Sequence, residues 1–353
     1  MRALTVVPGE ADSLAVREVD DPRPDSDELL VRGLALGICG TDREIAGGEY
    51  GSAPPGREYL VLGHESLGRV ERAPEGSGFA VGDLVVGMVR RPDPVPCEAC
   101  AHGRFDMCRN GRYTERGIKD LDGYGSEMWC VPVDYAVLLP KELERTGVLT
   151  EPASVVAKAW AQVDAIGSRS YFVPRRALVT GAGPIGLLAA LIAAQRGLDV
   201  HVLDIVAAGR KPDLVRALGA TYHHTDPGDL CRDLDPDVVI EATGVGHVVF
   251  DVIAGTSPNG IVCLTGVSPR GRTLTIDANT LNRTLVLDNE VVVGSVNAAP
   301  AHYTQAVTTL STADPTWLES LITRRIPLDD LPKSFPPTHD DVKAVIALDD
   351  TQL

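Results

Sequence analysis

Positive charge is scarce in this chain of 353 residues: Lys and Arg number 33 against 49 Asp and Glu, and the formal net charge is −16. Nucleic-acid binding depends on clustered basic side chains, so this balance argues against a nucleic-acid partner. Long hydrophobic runs are also lacking. The longest, Leu187 to Ala194, has eight residues, far short of the roughly 20 that span a bilayer. With no secretory pattern at Met1, we expect a cytoplasmic protein without a membrane partner.

Cysteine is the next scarce residue type. The seven cysteines form an odd set, and three of them, Cys97, Cys100 and Cys108, fall within twelve residues. An odd number with this clustering argues against a disulfide framework. It favours metal ligation in a reducing compartment.

What is present is the composition of a globular protein, with 44% apolar residues and length enough for two domains. Residues 1 to about 90 are rich in short β-prone runs, and a turn-rich lobe follows at about 90–125. A connecting helix is predicted over Pro152 to Ile166, with apolar residues at helical spacing. We predict one domain from 1–164 together with 300–353, and a second from 165–299.

The second domain alternates strand-like and helix-like segments, which predicts an α/β fold with a doubly wound parallel sheet. The predicted helices are Leu214–Leu218 and Val248–Ala254. The predicted strands are Leu178–Thr180, Val200–Leu203, Val238–Ala242, Ile261–Thr265 and Val291–Val293.

The stretch from Ala177 to Asp204 has the order of a dinucleotide site: strand, glycine turn, helix, strand, acid. The turn reads Gly181-Ala182-Gly183-Pro184-Ile185-Gly186, and the helix after it would offer free N–H groups to a pyrophosphate. Asp204 would accept hydrogen bonds from the adenine ribose and repel a 2′-phosphate, which favours NAD. The basic residues Arg210 and Lys211 follow shortly after Asp204, so NADP is the alternative cofactor.

A second constellation predicts a catalytic zinc site. Cys39 and His64, 25 residues apart, supply a thiolate and an imidazole, and Glu151 is a suitable third ligand. Glu65 could take the fourth position when no substrate is bound. Asp42 is placed to bond the other nitrogen of His64. Taken singly, Cys39 and His64 would more often be core residues; together they indicate a metal site.

Zinc beside a nicotinamide predicts hydride transfer from an alcohol, because the metal makes a hydroxyl more acidic. The hydroxyl proton must then leave. The Thr41 side chain, two residues from Cys39, is placed to begin a proton relay. The alternative for Thr41 is a turn-capping role.

The three clustered cysteines, Cys97-x2-Cys100-x7-Cys108, predict a structural zinc, which usually takes four ligands. Asp93 and His102 are candidates for the fourth position. The alternative is an empty site with free thiols.

These motifs together resemble the zinc-dependent medium-chain dehydrogenase/reductase superfamily over essentially the full length, and within it the glucose 1-dehydrogenase (aldose dehydrogenase) group. The stretches that carry the resemblance are Ile38 to Ile45, Leu60 to Glu65, Arg90-Arg91-Pro92, Glu115 to Ile118, Glu151-Pro152 and Gly294 to Asn297. The resemblance implies a GroES-like catalytic domain followed by a Rossmann domain, in a homodimer or homotetramer.

The resemblance also assigns residues. Glu115 and Asn297 match positions that contact sugar hydroxyls. Thr243 and Thr265 match loops that line the cofactor, and Asn297, after Val296, matches a position near the nicotinamide. With the glycine turn and the acid predicted above, the expected cofactor-binding residues are Gly181, Gly183, Pro184, Ile185, Gly186, Asp204, Thr243, Thr265, Val296 and Asn297. The resemblance implies that Cys39, His64 and Glu151 hold a catalytic zinc, with Glu65 nearby. Thr41 as the proton relay, and Cys97, Cys100, Cys108 and Asp93 as structural ligands, are predicted from the residues alone.

The chain departs from the pattern at three places. Pro94 stands where the family's four-cysteine lobe has its first cysteine. Asp204 stands where archaeal members carry basic residues that select NADP. Val89 and Val155 occupy positions that read the sugar in some members.

We therefore expect oxidation of the C1 hydroxyl of a glucose-like aldose to the lactone, with Zn²⁺ and NAD, or NADP as the second choice. A polyol or secondary-alcohol dehydrogenase with the same zinc chemistry is the alternative. A non-catalytic NAD-binding protein is a remote one.

Overall fold

The computed structural model describes residues 1–268, 273–338 and 341–353. Two compact units form: a first unit of Met1–Ser154 with Asn297–Leu353, and a second unit of Val155–Val296. These limits fall ten and three residues before those predicted from the sequence. The first limit lies inside one continuous helix, Thr150–Gly167, so no turn or composition change marks it in the sequence.

The chain up to residue 154 consists mainly of short strands joined by turns. Its strands are β1 (Arg2–Val6), β2 (Ala15–Glu18), β3 (Glu28–Ile38), β4 (Leu60–Val61), β5 (Glu65–Arg72), β6 (Leu84–Gly87), β7 (Arg90–Arg91), β8 (Thr114–Arg116), β9 (Asp120–Leu121), β10 (Met128–Pro132) and β11 (Ala136–Leu139). Its helices are α1 (Gly40–Ala46), α2 (Glu98–Ala101) and the beginning of α3 (Thr150–Gly167), with 3₁₀ turns at Phe105–Met107, Val133–Tyr135, Lys141–Leu143 and Gly147–Leu149. The predicted connecting helix is confirmed as α3.

The second unit alternates strands with helices. After α3 its elements are β12 (Arg176–Thr180), α4 (Pro184–Gln195), β13 (Asp199–Leu203), α5 (Arg210–Ala217), β14 (Thr221–His223), α6 (Pro227–Leu234), β15 (Val238–Glu241), α7 (Gly246–Gly255), β16 (Ile261–Leu264), α8 (Ala278–Leu287) and β17 (Val291–Gly294). The five predicted strands are confirmed. Missing from the prediction were β14, which is short and largely polar, and the helices α6 and α8.

The last part of the chain returns to the first unit. Its elements are α9 (Pro300–Thr312), α10 (Pro315–Leu321), β18 (Ile322–Pro327) and β19 (Lys343–Ala347), with 3₁₀ turns at Leu328–Asp330 and Asp350–Gln352. Strand β19 pairs antiparallel with β3, with Ala347 opposite Ala35. The C-terminal segment thus completes the sheet of the first unit. Within the described residues, none of the helices is both long and apolar enough to cross a membrane.

The main sheet of the first unit has the strand order β11-β6-β5-β3-β19-β18, and β10 also pairs with β3. Strand β3 lies at its centre, and its side chains from Leu34 to Ile38 are buried without a break. Tyr124 and Trp129 pack edge to face in the core beneath it, with ring centroids 4.7 Å apart. A continuously apolar strand of this kind belongs in the middle of a covered sheet.

The second unit contains a parallel sheet with the order β14-β13-β12-β15-β16-β17. Its core includes Leu178, Val239 and Val262 from three neighbouring strands. The chain moves from β12 outward to β13 and then returns to the other side of β12 with β15. The carboxyl ends of β12 and β15 therefore flank the topological switch point, where open α/β sheets bind their ligands.

Candidate active site

Cys39 and His64 meet because their two strands pair. Cys39 directly follows β3 and His64 directly precedes β5, and these antiparallel strands place Gly37 opposite Glu65. The Cys39 sulfur lies 3.1 Å from Nε2 of His64. One ligand atom each from Cys39, His64 and Glu65 lie within 4.8 Å of one another. A thiol, an imidazole and a carboxylate converging at this distance fit Zn²⁺.

Asp42 contacts both Cys39 and His64. Its Oδ2 accepts a hydrogen bond from the Cys39 N–H at 2.9 Å, and its Oδ1 lies 3.3 Å from Nδ1 of His64. Burial works to lower the pKa of His64, but the negative charges of Asp42 and Cys39 outweigh it and raise that pKa well above its usual value. Burial raises the pKa of the Cys39 thiol, and His64 opposes this rise. A carboxylate behind a metal-binding histidine fixes the ring and leaves the other nitrogen for the metal.

Glu65 has a buried cationic partner that the sequence analysis did not identify. The Lys343 ammonium contacts Oε2 of Glu65 and donates to the Ile38 carbonyl at 3.1 Å, and both side chains are almost fully buried. A Cβ atom at Gly37 would collide with the Glu65 carboxylate. The glycine therefore makes room for this pair beside the ligands.

Glu151 lies in the first turn of α3, in the same unit as the cluster. Burial raises its pKa to about 7; the charge of His64 lowers it, and that of Glu65 raises it. The set that the described residues bring within 4.8 Å consists of Cys39, His64 and Glu65, without Glu151. Glu151 interacts electrostatically with His64 and Glu65 but lies outside the set of atoms that the structure brings together.

Glu115 and Asn297 are in direct contact although 182 residues separate them. Asn297 Nδ2 donates to Oε1 of Glu115 at 2.7 Å, and its own Oδ1 accepts from the Ala298 N–H at 2.8 Å. Arg90 also donates from Nε to Oε1 of Glu115 at 3.0 Å, and its Nη2 lies 3.0 Å from the same oxygen. Strands β7 and β8 place Arg90 opposite Glu115, and the guanidinium lies 3.7 Å from the centre of the Tyr113 ring. The carboxylate is thus held on one oxygen by two residues, Arg90 and Asn297.

The cysteine lobe also forms a cluster, with the sulfur atoms of Cys97, Cys100 and Cys108 within 4.8 Å of one another. Asp93, the candidate fourth ligand, is engaged elsewhere. Its Oδ2 accepts from Arg112 at 3.0 Å and its Oδ1 from the Val95 N–H at 2.8 Å. The described residues therefore group three thiols, and the Asp93 carboxylate is held by Arg112 and the Val95 N–H.

A cavity of about 480 Å³ opens at the carboxyl ends of the strands in the second unit. Its lining includes Gly181 and Gly183 of the glycine turn, Asp204 after β13, and Thr243 after β15. Gly181 has a φ of 91°, and a side chain at Gly186 would collide with the Gly181 carbonyl. Helix α4 begins at Pro184, so its N-terminus faces this turn. The geometry is that of a pyrophosphate site.

The Asp204 carboxylate lies at the edge of this cavity and accepts from three donors. Its Oδ2 accepts from the Ala182 N–H at 2.6 Å and lies 3.3 Å from Nζ of Lys211, while Oδ1 accepts from the Val206 N–H at 3.1 Å. The acid therefore also ties the glycine turn to β13. Lys211 offsets part of its charge.

Comparison with known proteins agrees with this architecture. Residues 25–141 match the family model of the alcohol dehydrogenase GroES-like domain, and residues 144–348 match that of the glucose dehydrogenase C-terminus. The glucose 1-dehydrogenase of Methanocella arvoryzae is 40% identical over 99% of each chain, and glucose 1-dehydrogenase 1 of Caldivirga maquilingensis is 41% identical over the same share. The chain belongs to the glucose dehydrogenase group of the zinc-dependent medium-chain dehydrogenases.

Among solved structures, the glucose dehydrogenase of Haloferax mediterranei in complex with NADP, Zn and gluconolactone superposes with a TM-score of 0.91. It is 33% identical and covers 98% of this chain and 99% of its own. The expected GroES-like and Rossmann architecture of a glucose dehydrogenase is thereby confirmed.

The other cofactor residues expected in this glucose dehydrogenase family member lie outside the described lining of the cavity. Pro184, Ile185 and Gly186 form the first turn of α4 beside it. Thr265 donates through its hydroxyl to the Glu241 carbonyl at 2.8 Å, and the Val296 carbonyl accepts from Lys158 at 2.9 Å. Asn297 belongs to the first unit.

Three functional candidates of this family member were missed by the sequence analysis: Arg90, Glu241 and Lys343. Lys343 carried a signal, since it is a lone lysine ahead of the apolar run of β19. Glu241 ends the apolar strand β15 in the same way. Arg90 was noted only as part of a motif, and its role depends on the pairing of β7 with β8, which the sequence does not show.

Proposed function

We propose that this protein oxidises the C1 hydroxyl of a glucose-like pyranose to the lactone, with transfer of hydride to NAD⁺. The observation that carries the proposal is the buried Cys39–His64–Glu65 cluster in the same unit as the Arg90–Glu115–Asn297 contact. The likeness to the Haloferax mediterranei glucose dehydrogenase with NADP, Zn and gluconolactone supports it.

Cys39, His64 and Glu65, with Glu151 as the further ligand, would hold Zn²⁺, which when bound supplies Lewis-acid polarisation of the sugar hydroxyl. Asp42 keeps the His64 ring oriented with Nε2 toward Cys39. Lys343 balances the charge of Glu65 and keeps that carboxylate beside the ligands. The Thr41 hydroxyl, at the half-buried second position of α1, is the group we assign to carry the hydroxyl proton away.

The sugar ring would be oriented by Glu115 and Asn297. Oε1 of Glu115 accepts from Arg90 and Asn297, so we assign Oε2 as the acceptor for a ring hydroxyl. The Ala298 N–H donates to Oδ1 of Asn297 and so fixes the orientation of the amide. We assign the second N–H of this amide as a donor to a neighbouring ring hydroxyl. Holding the ring in one pose supplies much of the rate in reactions of this kind.

NAD is the cofactor we favour over NADP. The buried Asp204 carboxylate lies at the edge of the dinucleotide cavity, where a 2′-phosphate would meet its negative charge. Lys211 at 3.3 Å offsets part of that charge, so NADP remains the second choice. The Haloferax mediterranei enzyme was solved with NADP, which makes the preference of this chain a direct question for experiment.

A second, structural Zn²⁺ is proposed on Cys97, Cys100 and Cys108. Three thiolates are a strong donor set, and the fourth position would be filled by a group outside this set. Metal analysis distinguishes the outcomes, since two zinc ions per chain support this site and one per chain argues for free thiols.

Initial rates with several aldoses, open-chain polyols and simple alcohols test the function. With NAD and NADP, before and after chelation, we expect glucose or a close epimer to be the best substrate and chelation to abolish its oxidation. A higher rate with polyols or simple secondary alcohols than with every aldose would replace the sugar assignment by the alternative dehydrogenase.

A further inference from the structure

Glu241 is a completely buried carboxylate with no role in the chemistry described so far. It ends β15, and its oxygens accept from the backbone N–H groups of Thr243 and Gly244 at 2.8 and 3.1 Å. The hydroxyl of Thr180 donates to it at 3.2 Å, and the hydroxyl of Thr243 donates as well. Each of these partners is a neutral donor, which suits an ionised carboxylate, and no ion pair with Glu241 is found among the described residues.

The position of Glu241 in the sheet connects it with the cofactor. Thr180 ends β12 and lies directly opposite Glu241 in the parallel register. These two strand ends flank the switch point, where dinucleotides bind in sheets of this order. Thr180, Ala242 and Thr243 line the cavity, and Glu241 lies immediately behind them.

We infer that Glu241 is a positioning residue for the dinucleotide, holding the Thr243–Gly244 turn and favouring the oxidised nicotinamide by its negative charge. The inference rests on the proposed use of a nicotinamide cofactor. Gly244 adopts a φ of 64° and packs against the Val267 backbone, so the turn is confined on its other side as well. A glutamine at 241 would present an amide donor to a shell made only of donors, and the turn would lose part of its anchor.

The charge gives this role a distinct signature. NAD⁺ and NADH differ by a positive charge on the nicotinamide ring, and a buried anion favours the positive form when the ring binds beside it, as we infer for Glu241. A residue that only shaped the turn would change the affinity for both nucleotides equally. Loss of the Glu241 charge should therefore weaken the binding of NAD⁺ more than the binding of NADH.

The test is the Kd of NAD⁺ and of NADH for the zinc-loaded full chain, measured without sugar by NADH fluorescence and by competition with NAD⁺. For Glu241→Gln we expect the Kd of NADH to rise roughly tenfold and the Kd of NAD⁺ to rise by a factor about three times as large, which is roughly thirtyfold. Glu290→Gln, another buried carboxylate of the same unit away from the cavity lining, is the matched control and should change neither Kd beyond twofold. Equal weakening of both nucleotides, or wild-type values, overturns the inference.

If Glu241→Gln cannot be purified folded, Glu241→Asp carries the test. It keeps the charge but draws the carboxylate back from the turn, so both Kd values should rise at least threefold and that of NAD⁺ more than that of NADH; an equal rise in both, or wild-type values, would refute the role. The readout is independent of the sugar reaction. A chain that binds both nucleotides with this dependence on Glu241 but oxidises no aldose contradicts the proposed function and supports the inference.

Discussion

The sulfur of Cys39 lies 3.1 Å from Nε2 of His64, although 25 residues separate them in sequence. The contact follows from the antiparallel pairing of β3 and β5, which sets the end of one strand beside the beginning of the other. Two rigid strands therefore fix the distance between the two ligands, and Asp42 fixes their orientation. A metal site built on strands is held more tightly than one built on loops.

The Arg90–Glu115 contact predicts how the enzyme selects a sugar over a simple alcohol. Arg90→Lys removes the guanidinium that contacts Glu115, and Glu115→Gln removes the charge of the carboxylate. Either change should raise the KM for glucose about tenfold while the kcat/KM for a simple alcohol stays within twofold, because the acceptor for the ring hydroxyls is no longer held in place by Arg90 in the first variant and loses its charge in the second.

Steady-state kinetics on glucose and on 2-propanol check this. Arg104→Lys, an exposed arginine of the same lobe, is the matched control and should resemble the wild type. Parallel losses on both substrates would show that Glu115 supports the fold or the metal and does not read the sugar.

The Asp204 carboxylate predicts cofactor choice. Asp204→Asn keeps an acceptor for the Val206 N–H but removes the charge that opposes a 2′-phosphate. Lys211 is then free of its partner and can attract that phosphate. The ratio of kcat/KM for NAD to that for NADP should fall at least tenfold, since about 1.4 kcal/mol corresponds to this factor.

The exposed Asp213→Asn on the same helix as Lys211 serves as the control and should leave the ratio unchanged. A ratio that stays at the wild-type value in Asp204→Asn would mean that Asp204 only ties the glycine turn to β13.

How much of this could be read from the sequence depended on whether a feature is local. The glycine turn, the strand before it and Asp204 after it are contiguous, and their order alone predicted the nucleotide cavity. Cys39 and His64 are distant, yet their residue types and flanking motifs identified them. The Arg90–Glu115–Asn297 contact could not be derived from local pattern, because it needs the pairing of β7 with β8 and the return of the chain after the second unit.

Buried charges were the least predictable feature. Lys343 and Glu65 become partners only because β19 is added to the sheet beside β3, more than 270 residues later in the chain. Asp93 is a different case: its spacing makes it a candidate ligand, and in the structure Arg112 of the same lobe donates to its carboxylate. Sequence spacing shows which groups could meet and not which partner is preferred.

The Lys343–Glu65 pair predicts a large effect on stability. Lys343→Met leaves the Glu65 carboxylate buried without its cation, which should lower the free energy of unfolding by about 3 kcal/mol. Adding Glu65→Gln should restore part of this loss, because the uncompensated charge is removed. Urea unfolding of chelated protein measures both, with the exposed Lys333→Met as control. Additive losses in the double variant would contradict the pairing.

Glu290 predicts a pH dependence of stability. Both of its oxygens lack a hydrogen-bond partner among the described residues, and burial, with Asp288 adding to it, raises its pKa to about 7 from 4.5. Below pH 4.5 Glu290 is protonated in both the folded and the unfolded chain, so its ionisation does not change the free energy of unfolding. As pH rises to 7 the unfolded chain releases the proton and the folded chain keeps it, so stability is lost over this window.

Glu290→Gln should therefore be more stable than the wild type at pH 8 and lose most of that advantage at pH 4.5. The full shift would correspond to about 3 kcal/mol, and partial solvation reduces our expectation to about 1 kcal/mol. Urea unfolding at the two pH values checks it. An equal difference at both values would assign the effect to packing.

The most direct measurement of the central claim is the zinc content and glucose oxidation rate of Cys39→Ser beside the wild type. The account predicts that the variant loses one equivalent of zinc per chain and at least roughly 100-fold in rate, while Cys130→Ser, a half-buried cysteine of β10, keeps both. A Cys39→Ser protein with the wild-type zinc content and rate would contradict the account.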